Sequence, residues 1–179
     1  LIAEETLVER LKQKDSKAFE VLIDLYKERL YWHIRRIVLN HDDTDDVLQN
    51  TFIKIFRSID GFKGDSKLFS WIYRIGTNEA LTFIKVKSKK LGLGMDEVQE
   101  RMVNNLEADV YFEGDEIQMK LQKALARLPE KQKLVFTMKY FEEMKYDEIS
   151  AILDTSVGGL KASYHLAVKK IESYLKDEK

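Results

Sequence analysis

The residues Val47, Leu48, Thr51, Phe52, Ile55, Phe56 and Ile59 follow one another at i, i+1, i+4, i+5 spacing. A strand would scatter them over both of its faces, whereas a helix gathers them into one stripe. This stretch is therefore committed to a helix that buries one full face. The same period runs through the flanking sequence. Asp15 precedes a long helix carrying Phe19, Leu22, Ile23, Tyr26, Leu30, Ile34, Ile37 and Val38, ending near Asn40, and a short helix at residues 7–11 comes before it. A turn through Asp60, Gly61, Gly64 and Asp65 leads to a further helix that starts near Lys67 and carries Leu68, Trp71, Ile72, Ile75 and Leu81 inward. With 8 Gly and one Pro in 179 residues, turn formers are too scarce for a sandwich or barrel.

The carboxy-terminal third splits into four helices. Ile117, Leu121, Ala124, Leu125 and Leu128 define the first, and Pro129 stands at the start of the next, where a missing N–H is tolerated. Leu134, Val135, Met138 and Phe141 continue that second helix. A short helix over residues 146–153, a turn at residues 154–157 and a longer helix from about Gly158 to Tyr174 then form a helix-turn-helix arrangement.

Charge divides the chain into three parts. Residues 1–90 hold 17 Lys/Arg against 14 Asp/Glu, residues 91–115 hold one against seven, and residues 116–179 hold 12 against 10. The middle part is acidic and contains Gly92, Gly94, Gly114, Asn104 and Asn105, which reads as a linker. A surface helix over residues 96–106 with a solvated acidic face is the alternative. The expected fold class is all-α: two small helical bundles, residues 1–90 and 116–179, joined by a flexible acidic linker over residues 91–115, the second bundle containing the helix-turn-helix.

The residue inventory removes several chemistries. Without cysteine there is no disulfide framework, thiolate metal site or cysteine nucleophile, and His33, His41 and His165 lie far apart with no ligand-spaced motif. The acidic cluster Asp42, Asp43, Asp45, Asp46 lacks the Gly and Glu placement of a calcium loop and is read as complementing a helix amino terminus. No metal, cofactor or catalytic constellation is expected. No apolar run approaches the roughly 20 residues of a membrane span, and no signal pattern opens the sequence, so a cytoplasmic protein without membrane insertion is expected.

Two features point to partners. Asp46, Gln49, Asn50 and Ile53 share the side of their helix away from the apolar stripe, which suits a docking surface. Residues 62–90 mix Phe62, Lys63, Lys67, Phe69, Tyr73, Arg74, Lys85 and Lys87, a combination that binds unstacked bases through aromatic faces and phosphates through cations. Phe69 and Tyr73 read equally well as core or rim residues.

Taken in order, these segments resemble the extracytoplasmic-function (ECF) group of bacterial RNA polymerase sigma factors. Asp45-Asp46-Val47-Leu48-Gln49-Asn50-Thr51-Phe52 is similar to the family's D-x-V-Q-E-T-F stretch. Phe62-Lys63-Gly64-Asp65-Ser66 and Trp71-Ile72-Tyr73-Arg74-Ile75 are similar to its F-R-G-x-S and W-L-Y-R-I signatures. Leu128-Pro129-Glu130-Lys131-Gln132, Tyr146-Asp147-Glu148-Ile149-Ser150 and Val157-Gly158-Gly159-Leu160-Lys161 resemble its second domain, the last being its recognition-helix start.

The resemblance implies a non-catalytic subunit that binds core RNA polymerase, recognises promoter DNA as duplex and as melted single strand, and starts transcription. Asp45, Asp46, Gln49, Asn50, Ile53 and Lys54 would contact polymerase. Phe62, Lys63, Gly64, Asp65, Ser66, Tyr73, Arg74 and Asn78 would meet the minus-ten element, with the loop and Asn78 forming the pocket for a flipped base. Gly158, Gly159, Lys161, Ser163, Tyr164, His165 and Lys169 would meet the minus-thirty-five element. An anti-sigma factor is a further implied partner. Asn50 departs from the usual Glu, and Ser163, Leu166 and Val168 stand where many members have Arg, so fewer bidentate guanine contacts are expected. A free-standing helix-turn-helix regulator is the alternative function.

Overall fold

The computed structural model of the chain describes residues 2–109, 112 and 114–177, and every regular element among them is helical. The outer limits expected for the two bundles, residues 1 and 179, lie outside the described residues. The helices are α1 (Glu4–Lys12), α2 (Ser16–Val38), α3 (His41–Ser58), α4 (Leu68–Leu91), α5 (Met95–Asn104), α6 (Glu116–Ala126), α7 (Glu130–Tyr140), α8 (Tyr146–Leu153) and α9 (Val157–Asp177). Single 3₁₀ turns lie at Ile59–Gly61 and Leu106–Ala108.

Local chemistry sets the helix starts. The Asp15 carboxylate accepts from the Lys17 N–H at 2.9 Å and caps α2. Its hydrogen bond with the Arg10 guanidinium, 2.8 Å away, holds this carboxyl below the usual carboxylate range. The cap of α3 is Asn40, whose side-chain oxygen accepts from the Asp43 N–H at 2.9 Å, while Asp42 and Asp43 occupy the first turn, where the helix dipole favours negative charge. Pro129 stands at the N-cap of α7, one position earlier than its first helical residue.

Helices α2, α3 and α4 pack around Leu22, Leu30, Ile55, Ile59 and Ile72, all at or near zero exposure. Gly76 of α4 lets the helices approach here: a Cβ there would stand 3.2 Å from Cδ2 of Leu30, which would have to yield by a few tenths of an ångström. Val135, Met138, Met144, Ile149, Ile152 and Leu160 from the carboxy-terminal bundle belong to the same apolar cluster. The two bundles therefore meet through a shared core, with α8 against α4 and α7 against α2. A separate cluster of Ala124, Leu125, Leu128, Phe136, Ala167 and Ile171 belongs to the last bundle alone.

The flexible linker expected at residues 91–115 is not what the described residues form. They fold into α5 and the turn after it, and Val98, Met102, Val103 and Leu106 are buried with Ile34, Ile37, Val38 and Ile84. The acidic composition concealed a four-residue apolar set, while Asp96, Glu97 and Glu100 remain exposed on the other face. The alternative of a helix over residues 96–106 is the one realised, and it is packed into the core.

Candidate polymerase and nucleic-acid interfaces

The inward face of α3 is filled by Thr44, Val47, Thr51, Phe52 and Ile55, all buried. Helical geometry then turns Asp45, Asp46, Gln49, Asn50, Ile53 and Lys54 outward, and each is exposed. Ile53 is 43% exposed, an aliphatic side chain within a polar surface. His41 Nε2 stands 3.4 Å from an Asp45 carboxylate oxygen, and the Lys54 amine 2.9 Å from Glu79 of α4.

The loop between α3 and α4 brings Lys63, Gly64 and Asp65 together in exposed positions, with Ser66 half-buried. Gly64 has φ 79°, a left-handed conformation that glycine adopts without strain. The aromatic side chains are placed differently from the expectation of an open stacking surface. Phe62 is buried against Trp71, with ring centroids 5.4 Å apart. Tyr73 is 1% exposed and lies against Phe69 and His33, and burial holds its phenol well above the ordinary range. Its position on the inward face of α4, one turn before Thr77 and Gly76, makes it a core residue. Arg74 is exposed along α4, yet its guanidinium donates to the Ala151 carbonyl of α8. Asn78 is exposed in a cleft of about 440 Å³ that Glu130, Lys131 and Leu134 of α7 and residues 152–155 close on the far side.

On α9, Gly158, Lys161, His165 and Lys169 recur at helical spacing and are exposed together, opposite the buried Leu160, Ala167 and Ile171. Ser163 is half-buried at the flank. Tyr164 is half-buried and stacks on Phe136 with centroids 5.8 Å apart, so its ring supports the helix. The Gly159 N–H donates to the Ser156 hydroxyl at 3.1 Å, which caps α9.

Sequence reasoning missed the polar contacts between the bundles. His33, 1% exposed in its side chain, meets Glu142 of the α7–α8 connection with Nδ1 2.8 Å from a carboxylate oxygen. Its Nε2 lies 2.7 Å from the Thr77 hydroxyl, which itself donates to the Tyr73 carbonyl. The imidazole thus bridges a carboxylate of the second bundle and a hydroxyl of α4. Arg35, also buried, donates to Asp109 at 2.6 Å and to the Leu39 carbonyl at 2.6 Å. Lys133 of α7 lines a cavity of about 20 Å³ with Arg36, Leu81, Gln99 and Thr137, and burial pulls its amine down to about 8. A depressed amine binds fewer protons in the packed state, so this residue's contribution to the packed state improves as pH rises from about 8 towards the ordinary lysine range. One signal was present: His33 interrupts the apolar stripe between Leu30, Ile34 and Ile37, a polar residue at a core position.

Two sigma-70 families match the chain in the order of the two bundles: Sigma-70 region 2 over residues 22–90 and Sigma-70, region 4 over residues 118–171. This pairing defines a sigma-70-type protein. The chain is 30% identical over 180 residues to the ECF RNA polymerase sigma factor SigW of Bacillus subtilis, covering 95% of each chain. It is 28% identical over 182 residues to the ECF RNA polymerase sigma-E factor of Haemophilus influenzae, covering 96% of this chain and 95% of that one. The fold is shared with CnrH, solved in complex with the cytosolic domain of CnrY, at a TM-score of 0.71, 20% identity and coverage of 99% and 100%. It is also shared with the sigma factor RpoE of Bartonella quintana, solved with the anti-sigma factor NepR, at a TM-score of 0.66, 19% identity and coverage of 91% and 99%. The chain belongs to the ECF group of RNA polymerase sigma factors. It is a sigma factor that directs promoter recognition, and its family binds core RNA polymerase and promoter DNA as a non-catalytic subunit.

Proposed function

We infer that this sigma factor alternates between the closed arrangement described above and an open one, and that only the open one engages a promoter. The observation that carries this is the position of Arg74 and Asn78: the first is bound to the Ala151 carbonyl and the second faces a cleft walled by α7 and the α8–α9 turn. A melted strand approaching the loop of residues 62–66 and Asn78 would meet the carboxy-terminal bundle first. In the open state residues 1–90 act as the polymerase-docking and minus-ten domain, and residues 116–179 as the minus-thirty-five domain.

The roles follow from exposure and chemistry. Asp45, Asp46, Gln49, Asn50, Ile53 and Lys54 form the docking face for core polymerase. Lys63, Asp65 and Asn78 offer hydrogen-bonding groups to an unpaired base, with Phe62 at the start of the loop buried against Trp71 and Tyr73 buried in the core against Phe69 and His33. Lys161, His165 and Lys169 face duplex DNA on the outer side of α9. One neighbour of this fold, RpoE of Bartonella quintana, was solved with the anti-sigma factor NepR, which supports an anti-sigma factor for this chain as well. No described helix is long and apolar enough to cross a membrane, and the place of action is the cytoplasm, with the polymerase.

In vitro transcription from genomic fragments with core polymerase, with and without this chain, tests the reading; identical transcripts in both reactions would refute it. Two variants test the assigned positions. Asn78→Ala is expected to alter preference at one minus-ten position more than total binding to single strands, as read by competition among oligonucleotides differing at that base. Uniform loss across all bases would move Asn78 to a structural role. Lys161→Ala is expected to weaken upstream duplex binding about equally across sequences and to reduce the salt slope by about one, the mark of a lost phosphate contact. An unchanged slope and affinity would remove Lys161 from the interface.

A further inference from the structure

Helix α1 lies outside the stretch matched by region 2, which begins at residue 22. Its side chains nevertheless hold both ends of the loop between α3 and α4. At the far end, the first N–H groups of α4 have no partners within the helix. Lys67, the N-cap residue, makes no side-chain cap. The Glu4 carboxylate supplies one instead, accepting from the Leu68 N–H at 2.9 Å across 64 residues of sequence. Its negative charge also complements the positive end of α4. At the near end, the Lys12 amine donates to the Phe62 carbonyl at 2.8 Å. Lys14, just past α1, donates to the Phe56 carbonyl at 2.7 Å and stands 3.4 Å from Asp60.

The strut carrying these groups is itself fixed. Leu7 and Leu11 are buried in the apolar cluster that contains Ile59, Phe62 and Leu68, the residues flanking the loop on either side. Arg10 ties the end of α1 to Asp15, the cap of α2. From Glu4 to Lys12 the helix advances about 12 Å at 1.5 Å per residue. That rigid length sets the separation of the two loop ends.

The geometry points to α1 as the positioning element of the minus-ten reader: Glu4 and Lys12 pin the ends of residues 62–68 and hold Lys63, Gly64, Asp65 and Ser66 in one conformation. This rests on the assignment of that loop as the reader of the melted strand. A loop already held in its binding conformation loses less freedom on binding, and base discrimination requires that the reading groups do not adapt to the wrong base. Glu4 and Lys12 are positioning residues, since they act through the loop.

The test uses the full chain assembled with core polymerase and a pool of single-stranded DNA randomised over eight positions, retained and sequenced. Glu4→Ala and Lys12→Met are each expected to lower the enrichment ratio at the most selective position by about fivefold, the equivalent of one net hydrogen bond, while total retention changes less than twofold. Glu4→Gln, which keeps a carbonyl acceptor, and Lys12→Arg, which keeps a donor, are expected to recover most of the selectivity. With Trp32→Phe, Trp71 becomes the sole indole beside Phe62, and its emission should shift in Glu4→Ala and return in Glu4→Gln. Unchanged enrichment in both disruptive variants overturns the proposal, and so does a loss that the conservative variants fail to recover. Lys63→Ala with Asp65→Ala separates this from the underlying assignment: if that pair leaves every enrichment ratio intact, the loop is no reader and the strut has no reading role.

Discussion

Glu142→Ala is expected to shift the free chain from the closed arrangement towards the open one and to raise its affinity for promoter DNA in the absence of polymerase. His33 and Glu142 are both nearly inaccessible, and removing the carboxylate leaves the Nδ1–H of His33 buried without its acceptor. An unsatisfied buried donor costs about 1–3 kcal/mol. That is roughly a 5- to 150-fold shift in the ratio of closed to open, at tenfold per 1.4 kcal/mol. The fold of each bundle should survive, because the Ala124, Leu125, Phe136 and Ile171 cluster and the α2–α3–α4 packing do not include Glu142. Glu142→Gln is the informative control, since its amide oxygen still accepts from Nδ1 and should preserve most of the closure. Small-angle scattering of the free variants reads the shift as an increase in radius of gyration, and fluorescence anisotropy with genomic promoter fragments reads the unmasking. An unchanged radius with Glu142→Ala would show that the shared apolar surface holds the bundles together without this pair. A larger radius with unchanged DNA affinity would separate opening from masking and remove the gating role.

The reading of α3 from sequence held for most of its residues because one property, the phase of an apolar stripe, settles both which face is buried and which is free. Phe56, assigned to the stripe, is the exception at 40% exposed. Val47, Phe52 and Ile55 went inside, and Asp46, Gln49 and Ile53 came out by the same rotation. The phase argument weakens where a helix is buried on more than one side. Tyr73 looked available beside Arg74 because the contact of α4 with α2 and the carboxy-terminal bundle together covers more of its circumference than one partner would. The acidic stretch misled in the opposite direction. Seven carboxylates against one arginine dominate its composition, but Val98, Met102, Val103 and Leu106 are enough to bury one side of three helical turns. Contacts such as His33 with Glu142 or Glu4 with Leu68 join residues 109 and 64 positions apart, and no local pattern encodes them. Only the polar residue at a core phase of α2 announced that something opposite had to satisfy it.

Asp46→Arg is expected to remove polymerase binding while leaving the fold unchanged. Asp46 is the sixth residue of α3, beyond the first turn in which a carboxylate gains from the helix dipole, so reversing its charge changes helix stability little. It makes no described salt bridge, unlike Lys54, which pairs with Glu79, or Asp45, which stands near His41; substitution at those positions would disturb an internal contact as well. The side chain is exposed, with Gln49 and Asn50 one turn further along the same face and the partly exposed Ile53 two turns along. A docking surface chosen for a carboxylate presents a cation or donors to it. An arginine there juxtaposes like charges, which costs several kcal/mol, enough to weaken association by at least about a hundredfold. Competition against a labelled parent chain for core polymerase measures the effect, and thermal unfolding followed by circular dichroism should give superimposable curves. A variant that competes as well as the parent would overturn the docking assignment. Asp46→Asn should fall between them, because it removes the attraction without adding repulsion, and the gap between the Asn and Arg variants measures how closely the partner's positive charge approaches this point of α3.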